Sequence, residues 1–246
     1  MSPPKQIPYQ PKRFEPGASR RQLQRDLEVA SARRSVRMFS SEPVPRELIE
    51  LAIEIAGTAP SGAHRQPWHF VAINDPELKK SIRERVELEE RDFYERRAPQ
   101  EWLDALAPLG TDFQKSHITD APWLIVVFRR DYDVLPDGAR LKNYYMTESV
   151  GIAVGFLIQA LHRAGLATLT HTPAPMTFLR DICRRPTNEK PFVLMPVGYP
   201  SDDCTVPNIS RKPLSEILDA FEGVAPGRGV LRFPPFHLSP QSKARS

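Results

Sequence analysis

Cysteine is scarce in this chain, and long apolar runs are absent. The 246 residues include only Cys183 and Cys204, which are too few for a disulfide framework and suit a reducing compartment. The longest apolar runs, such as residues 121–128, are far shorter than the roughly 20 residues that a membrane span requires. The first residues also lack the apolar stretch of a secretory signal. We therefore expect a cytoplasmic protein that does not enter a membrane.

Signatures of metal sites, dinucleotide sites and nucleophile elbows are missing as well. The six histidines and two cysteines form no HxxxH or CxxC spacing, so no metal site is predicted. No glycine fingerprint follows a predicted strand, and the glycine-rich stretch at 223–229 precedes no predicted helix. A Rossmann site is therefore disfavoured. The GxSxG string of the α/β-hydrolases is absent too.

Neither sign of charge dominates the sequence. Lysine and arginine total 34 against 30 aspartates and glutamates, and the two signs alternate along predicted helix faces. A net charge of +4 can accompany nucleic-acid binding, but interleaved charges are typical of solvated helices. We do not expect a nucleic-acid partner. A basic nucleic-acid-binding module is kept as an alternative.

Proline is abundant, and it concentrates towards both ends of the chain. Several of the 26 prolines lie before residue 17 or after residue 225, among few apolar residues. We predict an N-terminal arm over residues 1–20, one core domain over 21–223 and a C-terminal tail over 224–246. No repeat with a period of 20–50 residues is present, which excludes a solenoid or a propeller.

The core domain alternates between helix and strand patterns. Helices are predicted after Pro45, after the Asp75-Pro76 cap, over about 101–116 and around 150–161. The predicted strands are residues 68–73, 122–128, 166–171 and 192–198. Two consecutive helices follow the first strand, and the strand at 122–128 is apolar throughout, as in a strand buried on both faces. The pattern predicts an α+β fold, with a sheet flanked by helices.

Three short segments contain groups suited to a bound ligand. The arginines of RRSVR (33–37) can grip a phosphate or can form a solvated basic face. The small residues of 59–64 let backbone N–H groups approach a ligand, or they form a plain turn. Residues 170–172 place two hydroxyls and an imidazole after a strand, where they can line a ligand or cap the next helix.

Together, these segments resemble one family in their order and spacing. The strings RRSVR, AGTAPSGAHRQPW, THTP and PVGYPSDDCTVPNISRKPL are similar to the nitroreductase superfamily of FMN proteins. Within that superfamily, the chain resembles the branch of iodotyrosine deiodinases over about residues 33–214. The resemblance implies a nitroreductase-like sheet flanked by helices. It also implies an intertwined homodimer with FMN at the subunit interface.

The resemblance assigns cofactor-binding roles to individual residues. Those implied to bind FMN are Arg33, Arg34, Ser35, Arg37, Pro60, Ser61, Thr170, His171, Thr172 and Arg211. The residues of RRSVR and Arg211 would hold the phosphate and the ribityl chain, and residues 170–172 would line the flavin ring. Arginines suit a dianionic phosphate, and a hydroxyl such as that of Thr172 suits a ring nitrogen that gains a proton.

Three residues that follow the first predicted strand match the pattern of the deiodinase branch. Glu90 is followed by Tyr94 four residues later and by Lys115 a further 21 residues along. Positions four apart share one helix face, so Glu90 and Tyr94 can contact one ligand. A zwitterionic amino acid needs an anion and a cation, although by composition alone Glu90 and Lys115 could be surface charges. The resemblance implies that these three residues bind a halotyrosine, within a lid over about 78–116.

The implied activity is the FMN-dependent reductive dehalogenation of halotyrosines, from iodotyrosine to tyrosine and iodide. The implied catalytic groups are the backbone N–H of Ala63, which would stabilise the substrate phenolate, and Thr172, which would support a one-electron flavin state. NADPH is the expected ultimate reductant, directly or through a separate flavin reductase. The alternative is a broad-specificity NAD(P)H-dependent nitroreductase or flavin reductase. Glu90 and Lys115 argue against it, because a nitroarene has no zwitterion.

Overall fold

The computed structural model describes residues 5–221, in two compact units. The first unit ends at Pro207. The second begins at Asn208, and its described part contains the short 3-10 turn Leu214–Glu216. The predicted C-terminal tail over 224–246 and the glycine-rich stretch at 223–229 lie outside the described residues.

A four-stranded antiparallel sheet forms the centre of the first unit. The strands of this unit are β1 (Trp68–Ile73), β2 (Trp123–Arg130), β3 (Tyr132–Val134), β4 (Arg140–Lys142), β5 (Ala167–Thr168) and β6 (Glu189–Gly198). The order in the main sheet is β1-β2-β6-β5, and β3 and β4 form a separate hairpin. β1 and β5 are therefore the two edges of the main sheet.

Strand β5 is shorter than its sequence predicts. Only Ala167 and Thr168 pair with β6, and a single bridge from His171 to Leu194 follows. The register places Leu169 opposite Pro196, which has no N–H to donate to the ladder. The prediction of a strand over 166–171 was therefore wrong beyond Thr168.

Seven α-helices surround the sheet in the described part of the chain. They are α1 (Pro16–Ala32), α2 (Arg46–Gly57), α3 (Pro76–Asp92), α4 (Gln100–Leu106), α5 (His117–Asp120), α6 (Met146–Arg163) and α7 (Thr177–Ile182). Helix α1 begins inside the predicted arm over residues 1–20. Within residues 5–221, no helix combines the length and apolar character that a bilayer crossing needs.

Caps and breakers determine where two of these helices begin and end. The carboxylate of Asp75 accepts a hydrogen bond of 2.7 Å from the N–H of Leu78, so the predicted cap of α3 is confirmed. The helix predicted over 101–116 stops early. It ends at Leu106, continues as the 3-10 turn Ala107–Leu109, and Gly110 closes it with a φ of +60°.

The core lies on both faces of β2. Ile125 and Val127 pack with α2 and α6 on one face, whereas Leu124, Val126 and Phe128 pack with α3 and α7 on the other. All five side chains are fully buried. Alternate residues of a strand point to opposite faces, so an apolar run with no polar interruption is what this position requires. The prediction of a strand buried on both faces is confirmed.

Candidate functional site

A cavity of about 360 Å³ lies between the C-terminal half of α3 and the segment that follows β5. The predicted site residues in its lining are Arg37, Glu90, Tyr94, Lys115, Thr170, His171 and Thr172. The lining also includes Phe93, Trp102 and Leu106, which the sequence analysis did not single out. An apolar wall with a few charged groups is the usual character of a small-molecule site.

The carboxylate of Glu90 has a different partner on each oxygen. Nε2 of His171 lies 3.0 Å from Oε1, and Nζ of Lys115 lies 3.3 Å from Oε2. Burial raises the pKa of Glu90, but the hydrogen bond from His171 and the charge of Lys115 outweigh it, so the pKa lies below its ordinary value. Glu90 is therefore an ionised acceptor at neutral pH.

Tyr94 lies one turn beyond Glu90, where α3 passes into the π-helical turn Phe93–Arg97. Its hydroxyl is 3.5 Å from Oγ1 of Thr111, and the ammonium of Lys115 lies 5.4 Å from its ring centroid. Burial raises the pKa of Tyr94, with the nearby Glu90 charge acting in the same direction. The hydroxyl therefore keeps its proton at neutral pH and is available as a donor.

A second histidine packs behind the first. His117 contacts His171 edge to face, with ring centroids 5.5 Å apart. Burial lowers the pKa of His117 to about 3, with the neighbouring His171 acting in the same direction, so this imidazole is uncharged at neutral pH. The sequence analysis missed His117, because no motif or spacing links it to the site.

A smaller group of residues surrounds the guanidinium of Arg37. A second cavity of about 390 Å³ is lined by Ser35, Arg37 and Met38 together with residues 108–110 and 205–207. Arg37 also lines the first cavity. Burial lowers the pKa of Arg37, and within residues 5–221 its guanidinium has no hydrogen-bond or ion-pair partner. A half-buried cation without an anion is a binding group for an anionic ligand.

The loop before β1 has a fixed and unusual conformation. Ala63, His64 and Gln66 all have positive φ angles, of 49°, 53° and 48°. Such residues persist where surrounding contacts determine the backbone, which disfavours the plain connecting turn. A Cβ atom on Gly62 would lie 2.8 Å from the carbonyl oxygen of Tyr144, so only glycine fits there.

Most backbone N–H groups of this loop already donate a hydrogen bond within the protein. The N–H of Gly62 donates to Oγ of Ser149 at 3.2 Å, and that of Gln66 donates to Oγ of Ser61 at 2.9 Å. The N–H groups of His64 and Arg65 have backbone acceptors inside the loop. The N–H of Ala63 has no acceptor among residues 5–221, and Ala63 is exposed. The loop therefore presents the backbone N–H of Ala63 as a donor to solvent or to a ligand.

Arg65 ties this loop to the hairpin of β3 and β4 and to the residue that follows it. Its guanidinium lies 2.7 Å from Oδ2 of Asp133, and its Nε donates to Oδ1 of Asn143 at 3.0 Å. Asn143 is fully buried and donates in turn to the carbonyl oxygen of Arg130 at 3.0 Å. The loop is thus anchored through side chains that lie far from it in sequence.

The predicted site residues fall into two groups that one chain does not bring together. Pro60, Ser61 and Ala63 precede β1, at one edge of the sheet, whereas residues 170–172 follow β5, at the other edge. Three strand spacings separate the edges by roughly 14 Å. The lining of the first cavity contains none of the three loop residues.

The remaining predicted residues lie near or beyond the second cavity. Ser35 forms a bridge with Thr168, which places it at the β5 edge. Arg34 donates to the carbonyl oxygen of Pro207, and Arg33 follows the last residue of α1. Arg211 belongs to the second unit. Within residues 5–221, no cluster of histidine, cysteine and carboxylate side chains is arranged to hold a metal ion.

A helix-flanked antiparallel sheet, with an arginine segment at one edge and a small-residue loop at the other, defines a nitroreductase-like protein. Residues 30–199 match the model of the nitroreductase family, and the chain belongs to that family. The resemblance inferred from the sequence motifs and the predicted α+β class are confirmed.

Its relatives in the family include iodotyrosine deiodinases. The one from Haliscomenobacter hydrossis is 50% identical over 212 residues, which cover 86% of this chain and 96% of that protein. The one from Hydra vulgaris is 45% identical over 217 residues, which cover 88% and 80% respectively. A crystal structure of oxidised iodotyrosine deiodinase bound to FMN and 3-iodo-L-tyrosine matches with a TM-score of 0.68 and 30% identity. That match covers 81% of this chain and 100% of the other.

Proposed function

We propose that this chain is an FMN-dependent reductive dehalogenase of halotyrosines, converting iodotyrosine to tyrosine and iodide. The observation that carries the proposal is the pair formed by Glu90 and Lys115 in the wall of an otherwise largely apolar cavity. Opposite charges at this spacing suit the two ends of a zwitterion, and the apolar wall suits an aromatic ring. The names of the relatives, and the ligands of the matched crystal structure, support the same activity.

The residues present fit a flavin mononucleotide. The half-buried guanidinium of Arg37, without an anionic partner in the described residues, suits a phosphate or a ribityl oxygen. Arg33, Arg34, Ser35 and Arg211 are proposed to complete that contact. FMN, when bound and reduced, supplies the electron pair that replaces the carbon–halogen bond by a carbon–hydrogen bond.

The segment after β5 is proposed to contact the flavin ring. The side chains of Thr170 and Thr172 line the cavity, and both residues are exposed to solvent there. The Thr172 hydroxyl is proposed to hydrogen-bond the ring nitrogen N5, where a proton must be held or moved during the reaction. His171 lies between them in sequence.

The site can accept the amino acid if Glu90 and Lys115 exchange their contact with each other for contacts with the charged groups of the substrate. The substrate ammonium takes one oxygen of Glu90, the substrate carboxylate takes Lys115, and Tyr94 adds a hydroxyl hydrogen bond. Each charge keeps an opposite charge beside it throughout, so no buried ion is left uncompensated. A halophenol has neither charged group, and it leaves the pair between Glu90 and Lys115 unchanged.

A second copy of the chain is proposed to complete the site. Pro60, Ser61 and Ala63 lie at the sheet edge opposite to residues 170–172, so they can reach the flavin of a partner more readily than that of their own chain. The free N–H of Ala63 is a donor for the substrate phenolate. We therefore propose a homodimer with FMN at the subunit interface.

Exposed apolar side chains support the homodimer. Helices α2 and α6 pack against each other, and their outer faces expose Leu51, Ile55, Ile152 and Phe156 by 40–49%. Apolar residues grouped in this way are typical of an interaction surface. Burial against the same face of a second copy would form a symmetric interface.

The source of electrons and the compartment are proposed as well. NADPH is proposed as the ultimate reductant, directly or through a separate flavin reductase, and the cytoplasm is proposed as the compartment. Two free cysteines, at positions 183 and 204, are consistent with a reducing environment.

Turnover of paired substrates tests the proposed function. The flavin-loaded protein, reduced with dithionite, is expected to release iodide from 3-iodotyrosine and much less from 2-iodophenol at the same concentration. Glu90→Gln is expected to remove most of this preference. Reduction of a nitrofuran by NADPH without any iodide release would contradict the proposal and favour a broad-specificity nitroreductase.

A further inference from the structure

One residue of the site is engaged differently from its neighbours. The resemblance places His171 at the flavin ring with Thr170 and Thr172, but its imidazole is directed at a carboxylate. Nε2 lies 3.0 Å from Oε1 of Glu90, and the side chain is only 11% exposed. The contact joins the segment after β5 to α3. This helix contains Glu90, which is proposed to bind the ammonium of the amino acid.

The backbone of His171 is fixed against the centre of the sheet. Its N–H donates to the carbonyl oxygen of Leu194 at 2.9 Å, and its own carbonyl accepts from the N–H of Leu194 at 2.9 Å. Leu194 is fully buried in β6. The ring is held from behind by the edge-to-face contact with His117. The imidazole is therefore presented to Glu90 from a rigid base.

The proton on this imidazole can be assigned by chemistry. An ionised carboxylate only accepts hydrogen bonds, so Nε2 of His171 must carry the hydrogen that Glu90 receives. Nδ1 is buried and has no partner among the described residues, so the contact with Glu90 is the hydrogen bond that this imidazole makes there. His171 is thus a directed donor to one carboxylate oxygen.

Lys115, which contacts Oε2 of Glu90, has further hydrogen-bond partners. Besides Oε2 of Glu90, its ammonium is 3.4 Å from Oγ1 of Thr111 and also donates to the carbonyl oxygen of Asp112. A lysine has three donors and a flexible stem, so it can change one acceptor while it keeps the others. Of the two partners of Glu90, Lys115 is the one suited to exchange.

We propose that His171 is a positioning residue that holds one oxygen of Glu90 while the other exchanges Lys115 for the ammonium of the amino acid. The inference rests on the proposed function, because it assigns a role in halotyrosine recognition. Without His171, the carboxylate is free to turn both oxygens towards Lys115. The substrate ammonium then has to compete for the carboxylate, whereas a halophenol loses nothing.

A comparison of two ligands distinguishes the positioning of Glu90 from a general effect on the flavin or on the fold. We measure the dissociation constants of 3-iodotyrosine and 2-iodophenol by quenching of FMN fluorescence in the flavin-loaded parent, His171→Leu and His171→Gln. The readout is the ratio of the two constants, which cancels effects on the flavin. His171→Leu is expected to shift the ratio roughly tenfold against iodotyrosine, as loss of a hydrogen bond to a charged group does. His171→Gln keeps a side-chain N–H and should recover most of the ratio.

A control and a double variant complete the test. His69→Leu removes a half-buried imidazole from β1, at the opposite sheet edge, and should leave the ratio unchanged. Adding His171→Leu to Glu90→Gln should cause little further shift, because His171 acts through Glu90. If His171→Leu does not fold, as judged by thermal unfolding, His171→Ala takes its place in the same comparison.

The possible outcomes distinguish a failure of the positioning role from a failure of the proposed function. Equal losses for both ligands, or additive losses in the double variant, would overturn the positioning role while the proposed function stands. A flavin-loaded parent protein whose FMN fluorescence is quenched by neither ligand would overturn the proposed function and the inference with it.

Discussion

The Nζ atom of Lys115 lies 3.3 Å from Oε2 of Glu90, so the two side chains proposed to receive opposite ends of an amino acid already neutralise each other. Their side chains are 4% and 13% exposed. Removal of either partner leaves a largely buried charge without its opposite, which costs more than the pair contributes. The effects of substitution on binding and on folding are therefore linked.

Substitutions at this pair should discriminate between ligands. Glu90→Gln and Lys115→Ala are each expected to weaken halotyrosine binding by ~1.5–3 kcal/mol, because each removes a charged partner of the zwitterion. Binding of a halophenol should hardly change. Quenching of FMN fluorescence by both ligands measures the difference. Equal losses for the two ligands would mean that the residues support the fold or the flavin instead.

The same pair should show coupling in unfolding experiments. Lys115→Met alone leaves Glu90 with His171 only, and Glu90→Gln alone leaves the Lys115 charge unpaired. The double variant removes both charges and should be more stable than the sum of the two single losses predicts. Urea unfolding of the four proteins gives the coupling energy. Strict additivity would show that the pair contributes nothing to the free energy of unfolding.

Acid should reduce the contribution of Glu90 to stability. The folded-state pKa of Glu90 lies below the ordinary value of 4.5, so its stabilising effect is complete above that value. The effect is lost as the pH falls through the folded-state pKa, where the native carboxylate takes up its proton. The difference in unfolding free energy between the parent and Glu90→Gln should therefore be constant above pH 4.5 and shrink below it. A difference that grows on acidification would contradict the assignment.

Arg37 should matter to the flavin more than to the fold. Arg37→Ala is expected to weaken FMN binding by ~1.5–3 kcal/mol, because it removes the proposed charge-assisted contact with the phosphate or the ribityl chain. In the flavin-free protein the melting temperature should not fall, since the substitution removes a half-buried cation that has no partner among residues 5–221. Arg46→Ala, which removes an exposed ion pair with Glu50 on α2, is the matched control for both measurements.

The apolar face of α2 and α6 should determine the oligomeric state. Phe156→Glu places a charge on that face and is expected to yield monomers that retain little FMN. Leu88→Glu on α3 is the control, because Leu88 is 57% exposed and lies elsewhere on the surface. Sedimentation velocity and flavin absorbance measure the two effects. A flavin-loaded Phe156→Glu dimer would contradict the proposed interface.

The lid should be mobile over only part of its predicted range. Residues 93–110 include no buried side chain, whereas α3 buries Ile82 and Val86. α3 is also tied to the residues around α5: Lys79 donates to Ala121, and the N–H of Lys115 donates to Glu87 at 2.8 Å. We expect fast hydrogen exchange over 98–110 and slow exchange over 78–92, with 3-iodotyrosine slowing the first segment. Uniform protection across 78–116 would contradict this division.

Local sequence patterns predicted the elements and the residue types, but not the contacts between distant segments. The apolar run of β2 and the Asp75 cap of α3 follow from neighbouring residues alone. The early end of β5 depends on Pro196, which lies opposite it on another strand. No sequence spacing connects His171 with Glu90, because the bond between them exists only once β5 and α3 lie against the same cavity.

The placement of the loop before β1 was also beyond sequence reasoning. Its small residues indicated that a ligand could approach the backbone, but they did not indicate where in the fold the loop lies. The sheet order places the loop and residues 170–172 at opposite edges. Only the topology reveals that the motifs which resemble one flavin site in sequence are divided in space.

The left-handed residues of that loop carry a consequence for protein engineering. Ala63, His64 and Gln66 each hold a backbone conformation that costs a non-glycine residue roughly 1–2 kcal/mol. Contacts from Ser149, Asn143 and Asp133 hold the loop in this conformation. Ala63→Gly would relieve that strain and at the same time widen the range of directions in which its N–H can point. Selection for thermal stability alone would favour such a substitution, whereas selection for the phenolate recognition proposed for Ala63 would preserve the strain.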